Sequence, residues 1–270
     1  MRAPCAALGI EGGRSVEWMH LSWQVIAWII LVTMLAGYIQ GLLGVGYPML
    51  ATPLLSLMMD LRTAVIVTVP TIMFLSAYLI FRGGNLRESV ARFWYMPLCM
   101  VVGALIGARI FLSVDPSWLL LALGLALLLY VALDWLGRAN FPGARRVLHP
   151  GAVLCATLAG ITEAAINVGG PFLLIWCLVM GLAPVTLIQV LNLCFLTGKT
   201  TQLIALTAGG IPPIAWIAAA PLAIAALLPF RLGIRMREHA DVVAYRRWLR
   251  AFLSLMALLM IVRFARQAWL

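Results

Sequence analysis

Lys199 is the one lysine in the chain, and it stands inside an apolar tract, not in a loop. A charge inside a membrane-spanning segment is costly and is a functional candidate by default. Thr197, Thr200 and Thr201 surround it, and Asn192 and Gln189 lie seven and ten residues before it, on one face of a helix. A second polar set precedes this one. Glu163 stands one helical turn before the interruption Asn167-Val-Gly-Gly-Pro171, and Gln40 stands in the same relation to Gly44-Val-Gly-Tyr-Pro48. Hydrolytic chemistry finds no support, because His20, His149 and His239 fall outside the apolar tracts and neither an HExxH nor a GxSxG motif occurs. An ammonium, several amides and two glycine-rich turns suit recognition of an anion instead.

Glycine and proline are helix breakers, yet both interruptions sit where the surrounding sequence asks for a continuous buried helix. Proline is tolerated in the first turn of a helix, where its missing N–H would be unpaired anyway. Pro48 and Pro171 therefore predict that a new helix starts after each break. Free backbone N–H groups cannot face lipid and must face protein or a watery cavity. A helix that begins there points its positive end and its N–H groups at that cavity, which makes an anion site. The candidate binding residues are Gly44, Gly46, Tyr47, Asn167, Gly169, Gly170, Asn192 and Lys199, with Gln40 and Glu163 in coupling or gating roles. Plainer readings stand beside this one. Lys199 could snorkel toward an interface near Gly209-Gly210, or form a structural ion pair with Glu163. Asn167 and Asn192 could simply bond helices together, and the breaks could be packing kinks.

The elements that position these residues follow from composition. The 270 residues are 64% hydrophobic and 10% charged, far below the roughly one quarter charged of a soluble domain. Apolar runs approach the roughly 20 residues that span a hydrocarbon core as a helix, and no short alternating segments suggest a barrel. The expected fold is an all-α polytopic membrane protein with about 8–10 crossing segments. Helices are expected at about 22–43, 63–81, 93–112, 117–136, 151–166, 184–207, 213–231 and 248–266, with short apolar pieces at 49–59 and 172–181. Residues 1–21 read as an N-terminal tail, with Trp23–Leu43 a retained span and no cleaved signal. Residues 22–136 and 151–270 read as two repeats joined by a polar linker, 137–150.

The duplication is visible in residues as well as hydropathy. Ala36 to Pro48 lies over Ala159 to Pro171 without a gap, matching Ala, Gly, Val, Gly and Pro. Val69 with Phe74-Leu-Ser76 lies over Val190 with Phe195-Leu-Thr197, and Gly107-Ala-Arg109 over Gly233-Ile-Arg235. Repeats of this kind mark transporters. Charge orders them further. If the short pieces complete crossings of their own, each half crosses an odd number of times. Twelve arginines, including Arg82, Arg87, Arg138, Arg145, Arg231, Arg235, Arg237 and Arg250, then share one side against six on the other. Positive-inside asymmetry favours that arrangement, which makes the repeats inverted and a broken helix central to each. The net charge of +10 is thereby explained by topology and anionic lipid, and nucleic acid is not called for. Four of the five cysteines lie in apolar tracts without CxxC spacing, so neither a disulfide nor a metal is inferred, and no cofactor is expected.

Gly44-Val-Gly46, Pro53-Leu-Leu55 and Val168-Gly-Gly-Pro171, in that order, resemble the motifs of the sulfite exporter TauE/SafE family of anion permeases, over about residues 24–266. Tyr47 and Pro48 stand where that family has glycines, and Asn167 where it often has one. The resemblance implies movement of small sulfur-containing or organic anions, such as sulfite or sulfoacetate, across the cytoplasmic membrane. Tyr47 would narrow the cradle and change which anion fits. The partners expected are the anion and the bilayer, with Glu163 either carrying a coupling proton or gating by pairing with Lys199. An anion channel with the same site and no alternating access is the alternative.

Overall fold

A computed structural model describes residues 23–83, 86–136, 148–237 and 242–269. The tail 1–21, the linker residues 137–147 and their arginines lie outside the described residues. The described chain is helical: α1 (Trp23–Leu43), α2 (Tyr47–Leu55), α3 (Leu61–Arg82), α4 (Leu86–Phe93), α5 (Tyr95–Ser113), α6 (Pro116–Leu136), α7 (Leu148–Ile166), α8 (Gly170–Val179), α9 (Pro184–Ala208), α10 (Pro213–Ala219), α11 (Pro221–Met236) and α12 (Val242–Trp269). Local chemistry sets several starts. Proline occupies the first turn of α2, α9, α10 and α11. Asp60 caps α3 by accepting from the Thr63 N–H at 2.9 Å. By length and composition, α1, α3, α5 and the stretch Pro213–Met236 can each cross a membrane.

Three expectations need correction. The arginine-bearing segment 82–92 contains α4, a short amphipathic helix, since Leu86, Val90 and Phe93 recur at helical spacing. The helix expected at 213–231 is two helices, interrupted before Pro221, and it continues to Met236. Arg246 and Arg247, expected ahead of the helix at 248–266, belong to α12, which begins at Val242.

The short helix α2 folds back along α1. The Tyr47 N–H donates to Gln40 Oε1, and the Trp28 indole N–H donates to the Leu54 carbonyl at 3.0 Å. Those two contacts, near opposite ends of α1, fix α2 antiparallel to it. At nine residues α2 is about 13 Å long, less than half of the apolar thickness. Every residue of it is buried, so its irregular start never meets lipid.

Small residues let the longer helices approach backbone to backbone. Gly37 faces Ala226, and Gly41 faces the Phe230 carbonyl, so α1 and α11 run parallel. Gly103 faces the Thr157 carbonyl and Gly107 the Ile161 carbonyl, so α5 and α7 run parallel too. The small-xxx-small spacing in Gly37–Gly41 and Gly103–Gly107 is the usual device for close approach in lipid. The outward faces carry Leu31, Phe81, Leu154 and Ile224, all exposed. The molecule is an all-α polytopic membrane protein.

Candidate functional site

Each break is built on left-handed backbone. Gly44 and Gly46 have φ of 80° and 122°, and Asn167 has φ of 60°. Glycine adopts this region freely, and asparagine is among the few other residues that tolerate it. The polar residue one turn earlier then caps the turn. Gln40 Oε1 accepts from the Tyr47 N–H at 2.9 Å at the start of α2. Glu163 Oε2 accepts from the Gly169 N–H at 2.8 Å just before α8. The two positions that align in the sequence therefore perform the same task, one neutral and one charged.

The second break forms a buried charged centre. Lys199 Nζ lies 3.0 Å from Glu163 Oε1 and donates to the Glu163 carbonyl at 3.1 Å and to Gln202 Oε1 at 2.8 Å. It also makes a short hydrogen bond to Asn167 Oδ1. Glu163 Oε1 has no hydrogen-bond donor of good geometry, so it is held to the ammonium by charge. Asn167 Nδ2 donates to Thr52 Oγ1 at 2.9 Å and Thr68 Oγ1 at 2.7 Å, which ties the centre to α2 and α3. Gln202 Nε2 donates to the Ala164 carbonyl at 2.7 Å. Lys199 and Asn167 are fully buried and Glu163 almost so. An ion pair this dry persists only when its remaining polar valences are filled, and here the surrounding amides fill most of them.

The first break forms a neutral centre. Asn192 Nδ2 donates to the Gly44 carbonyl at 2.9 Å and the Ile188 carbonyl at 2.8 Å, and its Oδ1 accepts from Gln40 Nε2 at 3.3 Å. Asn192 and Lys199 share a face of α9 but serve different breaks. Their seven-residue separation sets the centres about 10 Å apart along that helix. The candidate residues thus gather into two centres on one helix. Gln189 joins neither, because its Oε1 accepts from Ser89 Oγ of α4 at 2.7 Å. A Cβ at Gly170, the first residue of α8, would lie 3.4 Å from the Met49 sulfur of α2. The Tyr47 ring is fully buried, and its hydroxyl, like those of Thr33 and Thr71, makes no hydrogen bond of ordinary geometry.

Sequence reasoning missed Gln202, Thr52 and Thr68. Gln202 carried a usable signal, since it lies three residues after Lys199 and so on its face. Thr52 and Thr68 carried none, because a threonine in an apolar helix ordinarily satisfies itself on its own backbone. Among the described residues no group of three His, Cys, Asp or Glu side chains could hold a metal.

The family model described as Sulfite exporter TauE/SafE matches residues 29–262 of the chain. No curated protein and no solved structure matches.

Proposed function

The chain belongs to the sulfite exporter TauE/SafE family of membrane transporters, and from that premise we propose that it is a secondary permease for a small anion, of the sulfur oxyanion or organosulfonate class, bound between two inverted repeats where α2 and α8 begin. It works in the cell membrane, with the arginine-rich end in the cytoplasm. Support for the repeats comes from packing: α1 lies on α11 as α7 lies on α5. Gly233 faces the Tyr38 carbonyl as Gly107 faces the Ile161 carbonyl, and those residues align between the halves.

The observation that carries the reading is the double engagement of Glu163. One carboxylate oxygen lies on the Lys199 ammonium and the other accepts the N–H that opens α8. Those are the two groups an anion would seek, so the carboxylate holds the anion's place. Protonating Glu163 frees both groups for a substrate. One proton on Glu163 and one negative charge on Lys199 leave the site neutral, as it is with the internal pair. Neutrality matters because an uncompensated buried charge costs several kcal/mol. Proton and anion are therefore bound together and moved together. Asn167 and Gln202 hold Lys199 in position throughout the exchange.

The test is thermal stabilisation of the purified protein by sulfite, thiosulfate, sulfoacetate, sulfate, acetate and chloride. A ligand at a hundredfold excess over its Kd stabilises by about 2.7 kcal/mol. Wild type is expected to respond to a sulfur oxyanion or sulfonate. Lys199→Met is expected to lose the response, as is the double variant Lys199→Met/Glu163→Gln, which removes both charges and keeps the volume. A folded double variant that still responds would move the anion site away from Lys199.

A further inference from the structure

We propose that the cleft between α3 and α11, at the arginine-rich end, binds the phosphate of an anionic phospholipid. Arg82 closes the last turn of α3, and Arg231 and Arg235 stand one turn apart on α11. The Arg82 and Arg231 guanidiniums lie 5.6 and 5.7 Å from the centre of one ring, that of Tyr78. Tyr78 is itself fixed edge-on against Phe230 of α11. The ring attracts both cations but neutralises neither. The described residues that line the cleft carry three guanidiniums and no carboxylate. Like charges gathered on one ring at a membrane end call for an anion.

The shape of the cleft selects its class. A cavity of about 220 Å3 is lined by Tyr78, Arg82, Arg231, Ile234 and Arg235. That is smaller than the roughly 300–1,000 Å3 of a pocket for a whole ligand, and it suits a headgroup whose remainder lies outside. Phe81, Leu228 and Leu232, next to these arginines on the same two helices, are 81%, 66% and 45% exposed, and they offer acyl chains an apolar wall. The corresponding groove of the other repeat, between α5 and α9, gives a contrast. It keeps Arg109 where α11 has Arg235, but Leu105 stands where α11 has Arg231. The basic cluster is thus an addition at one end only. That is the end which positive-inside asymmetry assigns to the cytoplasmic leaflet, where anionic lipids collect.

The experiment compares thermal melting of the detergent-purified full chain in mixed micelles with phosphatidylglycerol, with phosphatidylcholine, or with inorganic phosphate alone. Phosphatidylglycerol is expected to raise the melting temperature above the phosphatidylcholine value. The Arg82→Gln/Arg231→Gln/Arg235→Gln variant is expected to require roughly tenfold or more phosphatidylglycerol for the same shift. If that variant melts abnormally in phosphatidylcholine, Arg235→Gln alone is read instead, with a smaller loss expected. Equal stabilisation by phosphatidylcholine overturns the proposal, as does an unchanged lipid response in a folded variant. Inorganic phosphate reproducing the phosphatidylglycerol shift also overturns it, in favour of a soluble anion. None of these outcomes bears on Lys199, so the permease reading is tested separately.

Discussion

Lys199 is held by four oxygens, from Glu163, Asn167 and Gln202, in two ways. The Glu163 carboxylate supplies charge, while the amides and the carbonyl fill the ammonium's other valences. Asn167 has the double task. Its backbone makes the left-handed turn and its side chain links the ammonium to Thr52 and Thr68. A glycine there could make the turn and nothing else. Glu163→Gln tests whether Glu163 carries the proposed coupling proton. It keeps an oxygen for the Gly169 N–H and removes the carboxyl. Transport measured in proteoliposomes across pH is expected to lose its pH dependence in this variant. A pH profile matching wild type would remove Glu163 as the proposed proton carrier.

Among the elements, the parallel pairs α1/α11 and α5/α7 rest on contacts that no side chain can enter. A Cβ at Gly41 would lie 2.0 Å from the Phe230 carbonyl oxygen, and one at Gly107 would lie 2.3 Å from that of Ile161. Arg237 then fastens the end of α1 by donating to the Gly41 and Leu42 carbonyls. Gly41→Leu and Gly107→Leu must each push two backbones apart, an overpacking that costs roughly 1–3 kcal/mol or more. Both are expected to lower the melting temperature. Gly181→Ala is the comparison: nothing lies within 4 Å of its Cβ, although its φ of 60° makes the change mildly strained. Leucine variants that melt like wild type would mean that these crossings are looser than the geometry described.

For the whole molecule, the arginine-rich end and the end marked by Asp115 flank α5. Asp115 is exposed in the turn between α5 and α6, where the Ser117 N–H holds its carboxyl below the usual range, so it stays ionised in water. Arg87 lies in α4 at the opposite end of α5 and is exposed, as is Ser113 near Asp115. Arg87→Cys and Ser113→Cys, probed with a membrane-impermeant thiol reagent beside the parent chain, are expected to label from the cytoplasmic and the external side respectively. Labelling of both from one side would mean that α5 does not cross, and the reverse order would invert the orientation.

Much of this architecture was legible in one dimension. Apolar length shows where the chain crosses lipid, because unpaired backbone there has no other remedy than a helix. Glycine and proline mark the breaks, because few other residues permit that backbone. The aligned positions Gln40 and Glu163 were recognisable before their shared capping role was visible. Tertiary structure decided what spacing cannot carry. It returned α2 along α1, divided the polar face of α9 between two breaks, and turned Gln189 toward Ser89. It also brought Thr52 and Thr68 to Asn167 from helices far away in sequence. Periodicity places a residue on one face of its own helix. Which helix that face then meets depends on backbone approach between distant segments.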